Sequence, residues 1–195
     1  MSGRIVVGIS GASGVIHGIR LLEVLRDAPN VETHLVLTKP AERTIAVETS
    51  WEPAAVRALA AVVHAPWDIG APIASGSFPT DGMVVIPCSI KTAAAIAYGN
   101  ADNLLTRAAD VTLKEGRKLV LVVRETPLHR GHLKALLEAA ENGATILPPM
   151  PAFYTRPQSV SDIVDHTVAR VLDQLGVAHA LSRRWGIAPA VGPAG

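Results

Sequence analysis

Five apolar runs, Ile5 to Ile9, Val31 to Leu37, Met83 to Ile86, Leu119 to Val123 and Ala144 to Leu147, constrain this chain more than any other feature. Several are rich in Val and Ile, and none alternates strictly between apolar and polar residues. That is the pattern of strands covered on both faces. Between and beside them lie helical patterns at Val15 to Arg26, Ala41 to Glu48, Pro53 to Val63, Thr92 to Tyr98, Asn103 to Glu115 and His132 to Asn142. A last helix from Val160 to Leu175 is framed by Ser159 as N-cap and Gly176 as terminator. Alternating strands and helices predict an α/β chain with a Rossmann-like, doubly wound parallel sheet. With 195 residues, 49% of them hydrophobic, one core suffices. We read a single domain over residues 1–186 and a flexible tail at 187–195.

Doubly wound sheets bind ligands beyond the carboxyl ends of their strands. Past the first run comes Gly8-Ile9-Ser10-Gly11-Ala12-Ser13-Gly14, a small-residue turn leading into a helix. Such a turn lets backbone N–H groups approach a phosphate at the positive end of the helix dipole, although tight packing also selects glycine there. Past the second run stands Thr38-Lys39, past the third Ser89-Ile90-Lys91-Thr92, and past the fourth Arg124-Glu125. Ser89 and Thr92 can cap a helix or donate to a ligand. Arg124 and Glu125 are neighbours in an extended segment, so their side chains point to opposite faces.

Charge and composition remove several function classes. Eighteen Lys and Arg balance 17 Asp and Glu, so no net field draws the chain to nucleic acid or to an anionic membrane. No apolar span is long enough to cross a bilayer, and no secretory h-region precedes the first strand. The only cysteine, Cys88, excludes an internal disulfide framework and fits a reducing, cytoplasmic setting. The histidines show no metal-ligand spacing; His129 and His132 read as loop and helix-cap residues. High apolar content with few aromatics predicts some apolar surface buried between subunits.

Ordered blocks along the chain, Gly11-Ala12-Ser13-Gly14, Ala74-Ser75-Gly76-Ser77-Phe78, Pro87-Cys88-Ser89, Gly99 to Leu105, Arg107-Ala108-Ala109-Asp110-Val111, Leu113-Lys114-Glu115, Arg124 to His129 and Pro151-Ala152-Phe153-Tyr154, closely resemble the flavin prenyltransferases of the UbiX family. The resemblance runs from about Arg4 to Gly186. It implies a flavoprotein that binds reduced FMN and joins a dimethylallyl group from dimethylallyl monophosphate to flavin N5 and C6. The prenylated FMN then serves a UbiD-type decarboxylase. It further implies a homo-oligomer, commonly a dodecamer, with sites between subunits.

Carried over by position, the resemblance assigns FMN contacts to Gly11, Ala12, Ser13, Thr38, Ser89, Ile90, Lys91, Thr92 and Arg124. It assigns the prenyl phosphate to Tyr154 and Arg170, with Lys114 and Arg107 adding positive charge, and proton handling to Glu125 with Glu48 and Ser13. The absence of a DDxxD motif is consistent with prenyl transfer without metal. Arg, Lys and Tyr would then stabilise the charge that develops on a departing phosphate. Some relatives carry a Trp where this chain has Ile69, which predicts that an allylic cation is stabilised here by flavin and other groups. Trp185 matches a tail Trp that can close over the site. Two other readings are a flavin-dependent cysteine decarboxylase and a non-catalytic flavin-binding accessory subunit of an aromatic-acid decarboxylase. His17 lies too near the glycine turn, and the Pro149 to Tyr154 segment lacks the Asn-rich clamp, for the first.

Overall fold

A computed structural model describes residues 3–182. Trp185 and the tail at 187–195 lie outside the described residues. Six parallel strands form one sheet: β1 (Gly3–Ile9), β2 (Val31–Leu37), β3 (Val62–His64), β4 (Gly82–Cys88), β5 (Lys118–Val123) and β6 (Ala144–Ile146). Their order is β3-β2-β1-β4-β5-β6, so the winding reverses between β1 and β4. A crevice opens at that switch point beyond the strand ends.

Among the described residues seven helices flank the sheet: α1 (Val15–Asp27), α2 (Lys39–Glu48), α3 (Pro53–Arg57), α4 (Ile90–Ala97), α5 (Leu104–Lys114), α6 (Arg130–Glu141) and α7 (Val160–Leu175). Side chains alternate across each strand and divide the core into two layers. Ile5, Val7 and Ile9 of β1 pack with Leu22 and Leu25 of α1, Ile45 of α2 and Val168 of α7. Val6 on the same strand faces the other way, toward Ile96 of α4, Leu105 of α5 and Ala139 of α6. Both faces are therefore dry, which is why none of the runs alternates. Each fully buried side chain such as Leu22 contributes about 1.5–3 kcal/mol.

The helical reading of Pro53 to Val63 is corrected. The helix ends at Arg57, and Val62–His64 is a sixth, edge strand paired with β2 through His34↔Val62 and Val36↔His64. Three residues are too few to show a period. The β-branched pair Val62-Val63 was the local clue. Capping follows the sequence closely elsewhere. Ser159 and Asp162 form a capping box on α7, and Gly176 ends it in the left-handed region with φ 76°. His129 caps α6 by accepting from the Gly131 and His132 amides. Gly14 adopts φ 89° at the start of α1, and a side chain on Gly18 would strike the Ile86 carbonyl oxygen, so α1 lies close against the end of β4.

Candidate functional site

Ser10 ties the two central strands together where the crevice opens. Its buried hydroxyl donates to the Pro87 carbonyl oxygen at 2.9 Å and accepts from the Ser89 amide at 2.8 Å. That lock sets the ends of β1 and β4 side by side. Above it lies a cavity of about 910 Å³, lined by Ser10, Gly11, Thr38, Lys39, Trp67, Ser89, Lys91, Thr92, Asn103 and Glu125, among others. Most of the sequence-selected residues past the strand ends meet here.

Two helix N-termini border the cavity, and each is capped by a hydroxyl. Thr38 caps α2 by accepting from the Ala41 amide at 3.3 Å while its hydroxyl donates to the Ile9 carbonyl oxygen. Ser89 caps α4, accepting from the Thr92 amide at 3.2 Å, and its Oγ lies 2.9 Å from Thr92 Oγ1. These residues thus cap helices and line the cavity at once. Lys39 and Lys91 line the same cavity, and among the described residues neither they nor Arg124 forms a side-chain hydrogen bond or ion pair. Helix dipoles and unpartnered cations together make the crevice attractive to an anion. At the end of β5 Arg124 is exposed, while Glu125 is half-buried and lines the cavity.

Part of the glycine turn is used differently. Glu48, at the end of α2, accepts from the Gly14 amide at 2.8 Å and the Val15 amide at 3.3 Å. Its carboxylate therefore occupies the first amides of α1, with Ser13 beside them. His17 Nδ1 lies 3.0 Å from the Gly14 carbonyl oxygen. Burial lowers the pKa of His17, opposed by that carbonyl and by Glu48. Ala12 is buried and does not line the cavity.

The residues assigned to the prenyl phosphate stand elsewhere in the protomer. Tyr154, in a short 3-10 turn at 153–155, meets His166 of α7, and Arg170 lines a second cavity of about 300 Å³. The two cavities share no lining residue. Arg170 Nη1 donates to Asp173 at 2.8 Å, Arg107 to Asp110 at 2.8 Å and to the Ala74 carbonyl oxygen, and Lys114 to Glu115 at 2.5 Å. Lys114 and Arg107 thus have carboxylate neighbours within α5 or at its end.

Sequence reasoning missed Ser10 and Trp67. Ile69 is exposed and does not line the cavity, whereas Trp67, two residues earlier, does. Trp67 thus adds an aromatic side chain to the cavity lining. Trp67 is 72% exposed on its loop, which the sequence alone does not show. Cys88 is fully buried, and burial pushes its thiol far up, which removes it as a nucleophile. No group of three or more His, Cys, Asp or Glu side chains among the described residues is arranged to hold a metal ion. None of the described helices is long and apolar enough to cross a membrane.

Comparison with known proteins agrees with this geometry. The Flavoprotein family model matches residues 2–172. Flavin prenyltransferase UbiX of Salmonella typhimurium is 57% identical over 184 residues, covering 93% of this chain and 97% of that protein. Among solved structures, AnUbiX in complex with FMN and dimethylallyl pyrophosphate superposes with a TM-score of 0.94 at 50% identity, covering 97% of this chain and all of that one. A dodecameric FMN-dependent UbiX-like decarboxylase from Escherichia coli O157:H7 superposes with a TM-score of 0.91 at 56% identity, covering 93% and 98%. The chain belongs to the flavoprotein family, and within it to the UbiX flavin prenyltransferases.

Proposed function

We propose that the chain prenylates reduced FMN with dimethylallyl monophosphate and that its product serves a UbiD-type decarboxylase. The observation that carries this reading is the 910 Å³ crevice at the switch point, where two capped helix N-termini, unpartnered Lys39 and Lys91, and the Glu125 carboxyl converge. The donor set fits FMN. Hydroxyls, helix N-termini and ammonium groups suit a phosphate, and Trp67, Ile90, Ala94 and Ala95 offer an apolar wall for a ring system. Thr38, Lys39, Ser89, Lys91, Thr92 and Arg124 would hold the phosphate end and polar edges, with Gly11, Ala12 and Ser13 contributing backbone from the turn. When bound, reduced FMN supplies the N5 and C6 atoms that accept the prenyl carbons.

The protein's own groups answer the charge and proton demands of the reaction. The allylic C–O bond breaks and phosphate leaves with the bonding electrons, so cationic side chains around the phosphate lower the barrier. Tyr154 and Arg170 fill that role, supported by Lys114 and Arg107. Closing the second bond requires one proton delivered to the alkene carbon and one removed from the ring carbon. Glu125 is placed to move a proton at the cavity wall, and Glu48 with Ser13 forms a second proton-handling pair at the start of α1. Trp67 shields the crevice and offers its face to positive charge on the allyl group.

Arg170 lines a cavity distinct from the flavin crevice of its own protomer, and Tyr154 does not line that crevice, so a second copy would complete the site. Exposed Leu128, Leu133, Leu137, Met150 and Phe153 supply apolar surface for such an assembly, and a related UbiX-like protein is dodecameric. One buried thiol and no membrane-spanning helix among the described residues fit a cytoplasmic enzyme. The direct test is anaerobic incubation of the protein with reduced FMN and dimethylallyl monophosphate, followed by mass spectrometry of the flavin. A flavin gaining one C5H8 unit is expected; an unmodified flavin would overturn the reading.

A further inference from the structure

Two side chains hold opposite ends of one peptide group at the start of α1. The plane that joins Gly14 to Val15 carries the Gly14 carbonyl at one end and the Val15 amide at the other. His17 Nδ1 lies 3.0 Å from that carbonyl oxygen, and the Val15 amide donates to Glu48 Oε2 at 3.3 Å. The same carboxylate oxygen accepts from the Gly14 amide at 2.8 Å. We infer that His17 is a positioning residue for the Glu48 carboxylate, acting through the peptide that joins Gly14 to Val15.

The inference rests on the reading that Glu48 moves a proton during prenylation. A carbonyl oxygen can only accept, so Nδ1 carries the proton of the imidazole and donates it to Gly14. A donor on the carbonyl polarises the amide behind it, and that amide then binds the carboxylate more strongly. Each bond in the sequence imidazole, peptide, carboxylate therefore supports the next. The support matters because Gly14 holds φ 89°, and a glycine leaves such a conformation more readily than any other residue. Its carbonyl also accepts the His17 amide at 3.1 Å, so one residue grips it with backbone and ring together.

The local build supplies a fixed imidazole. His17 is half-buried in the first turn of α1, a helix anchored by buried Val15, Ile19, Leu21, Leu22 and Leu25. Burial holds the ring below its ordinary value of 6.5, with the Gly14 carbonyl and then Glu48 opposing. The ring is therefore neutral at pH 7, and it acts on Glu48 by its hydrogen bond rather than as a counter-ion. Along α1 the next cation, Arg20, is already taken by Asp165 of α7 and by Glu23. His17 does not line the crevice, so its effect on the reaction passes through Glu48.

The test is steady-state kinetics of His17→Phe and His17→Asn, alone and combined with Glu48→Gln, using reduced FMN and dimethylallyl monophosphate. His17→Phe keeps a ring and removes the donor; kcat should fall about three- to tenfold, the reach of one hydrogen bond, with KM for the prenyl donor and FMN affinity within about twofold of wild type. His17→Asn sets a neutral amide N–H close to the place of Nδ1 and should restore kcat to within about twofold. In the Glu48→Gln background, His17→Phe should add nothing to the loss, read as residual prenylated flavin by mass spectrometry. An unchanged kcat in His17→Phe, a His17→Asn variant as slow as His17→Phe, or losses that multiply in full with Glu48→Gln overturn the inference while wild-type turnover stands. A wild-type protein that forms no prenylated flavin, or a Glu48→Gln variant with full turnover, overturns the reading beneath it and this inference as well.

Discussion

The Glu48 carboxylate accepts the Gly14 amide at 2.8 Å, so the end of α2 closes the start of α1. This geometry gives Glu48 a structural task in addition to any proton it moves, and two substitutions separate the tasks. Glu48→Ala removes the acceptor and should lower stability by about 1 kcal/mol in chemical denaturation. Glu48→Gln keeps one carbonyl acceptor and should cost only a few tenths of a kcal/mol. If the carboxylate also carries a proton, Glu48→Gln loses most turnover at a nearly unchanged denaturation midpoint. Full turnover in that variant would confine Glu48 to capping. Ser13→Ala, beside it, should impair turnover more than FMN binding, read by flavin titration.

Glu125 lines the crevice, whereas its neighbour Arg124 is exposed and is not among the lining residues. Glu125→Gln preserves volume and polarity but cannot exchange the proton. We expect FMN affinity within about twofold of wild type and prenylated flavin reduced by roughly 10²-fold or more, measured anaerobically by mass spectrometry. Turnover at the wild-type rate would remove Glu125 from the proton path.

Ser10 carries more of the site than its size suggests. Its hydroxyl serves the Pro87 carbonyl and the Ser89 amide at once, and it is buried. Ser10→Ala leaves both groups without that partner and should destabilise the fold by about 1–3 kcal/mol. Because Ser89 also caps α4, the same change should weaken FMN binding. A denaturation midpoint equal to wild type would mean that water replaces the hydroxyl at no cost.

These residues show what sequence could and could not reveal. The sheet was legible because buried parallel strands leave unbroken apolar runs, and the site was legible in outline because strand ends in such sheets face the ligand. Ser10 escaped because a lone serine ending an apolar run has no pattern; its role exists only once β1 and β4 are adjacent. β3 escaped because three residues cannot display a period. Glu48 was assigned through resemblance alone, since nothing in a helix-ending glutamate predicts a contact 34 residues away. Trp67 was overshadowed by attention to Ile69, although its exposure marks it clearly once the loop is placed.

Acid should weaken the fold before its carboxylates protonate. His64 sits below its ordinary value of 6.5 because of burial and then the neighbouring His34 ring, with Asp68 opposing. His17 is lowered by burial as well. A base with a depressed folded pKa binds fewer protons in the folded state than in the unfolded one. Stability is therefore retained above about 6.5 and falls as pH drops below it, until the folded pKa is passed. Urea midpoints taken from about pH 7.5 down to about 5.5 should decline, and the combined His17→Gln and His64→Gln change should flatten that decline. A midpoint that holds steady in wild type over this range would contradict the assignment.

Arg170 offers the sharpest test of phosphate recognition because charge and geometry can be separated there. One nitrogen, Nη1, is taken by Asp173 at 2.8 Å, and the rest of the planar guanidinium remains available toward the cavity. Two parallel N–H groups on that plane match two phosphate oxygens, whereas a lysine ammonium offers a point charge without the fork. Arg170→Lys should therefore raise KM for the prenyl donor about tenfold despite the conserved charge, with a melting temperature near wild type because the side chain is exposed. Arg170→Gln should be worse by roughly another tenfold, since the charge itself is lost. Equal KM values for wild type and Arg170→Lys would show that the phosphate is held by charge alone. Lys114 and Arg107 would then be the groups to replace next, although each already faces a carboxylate.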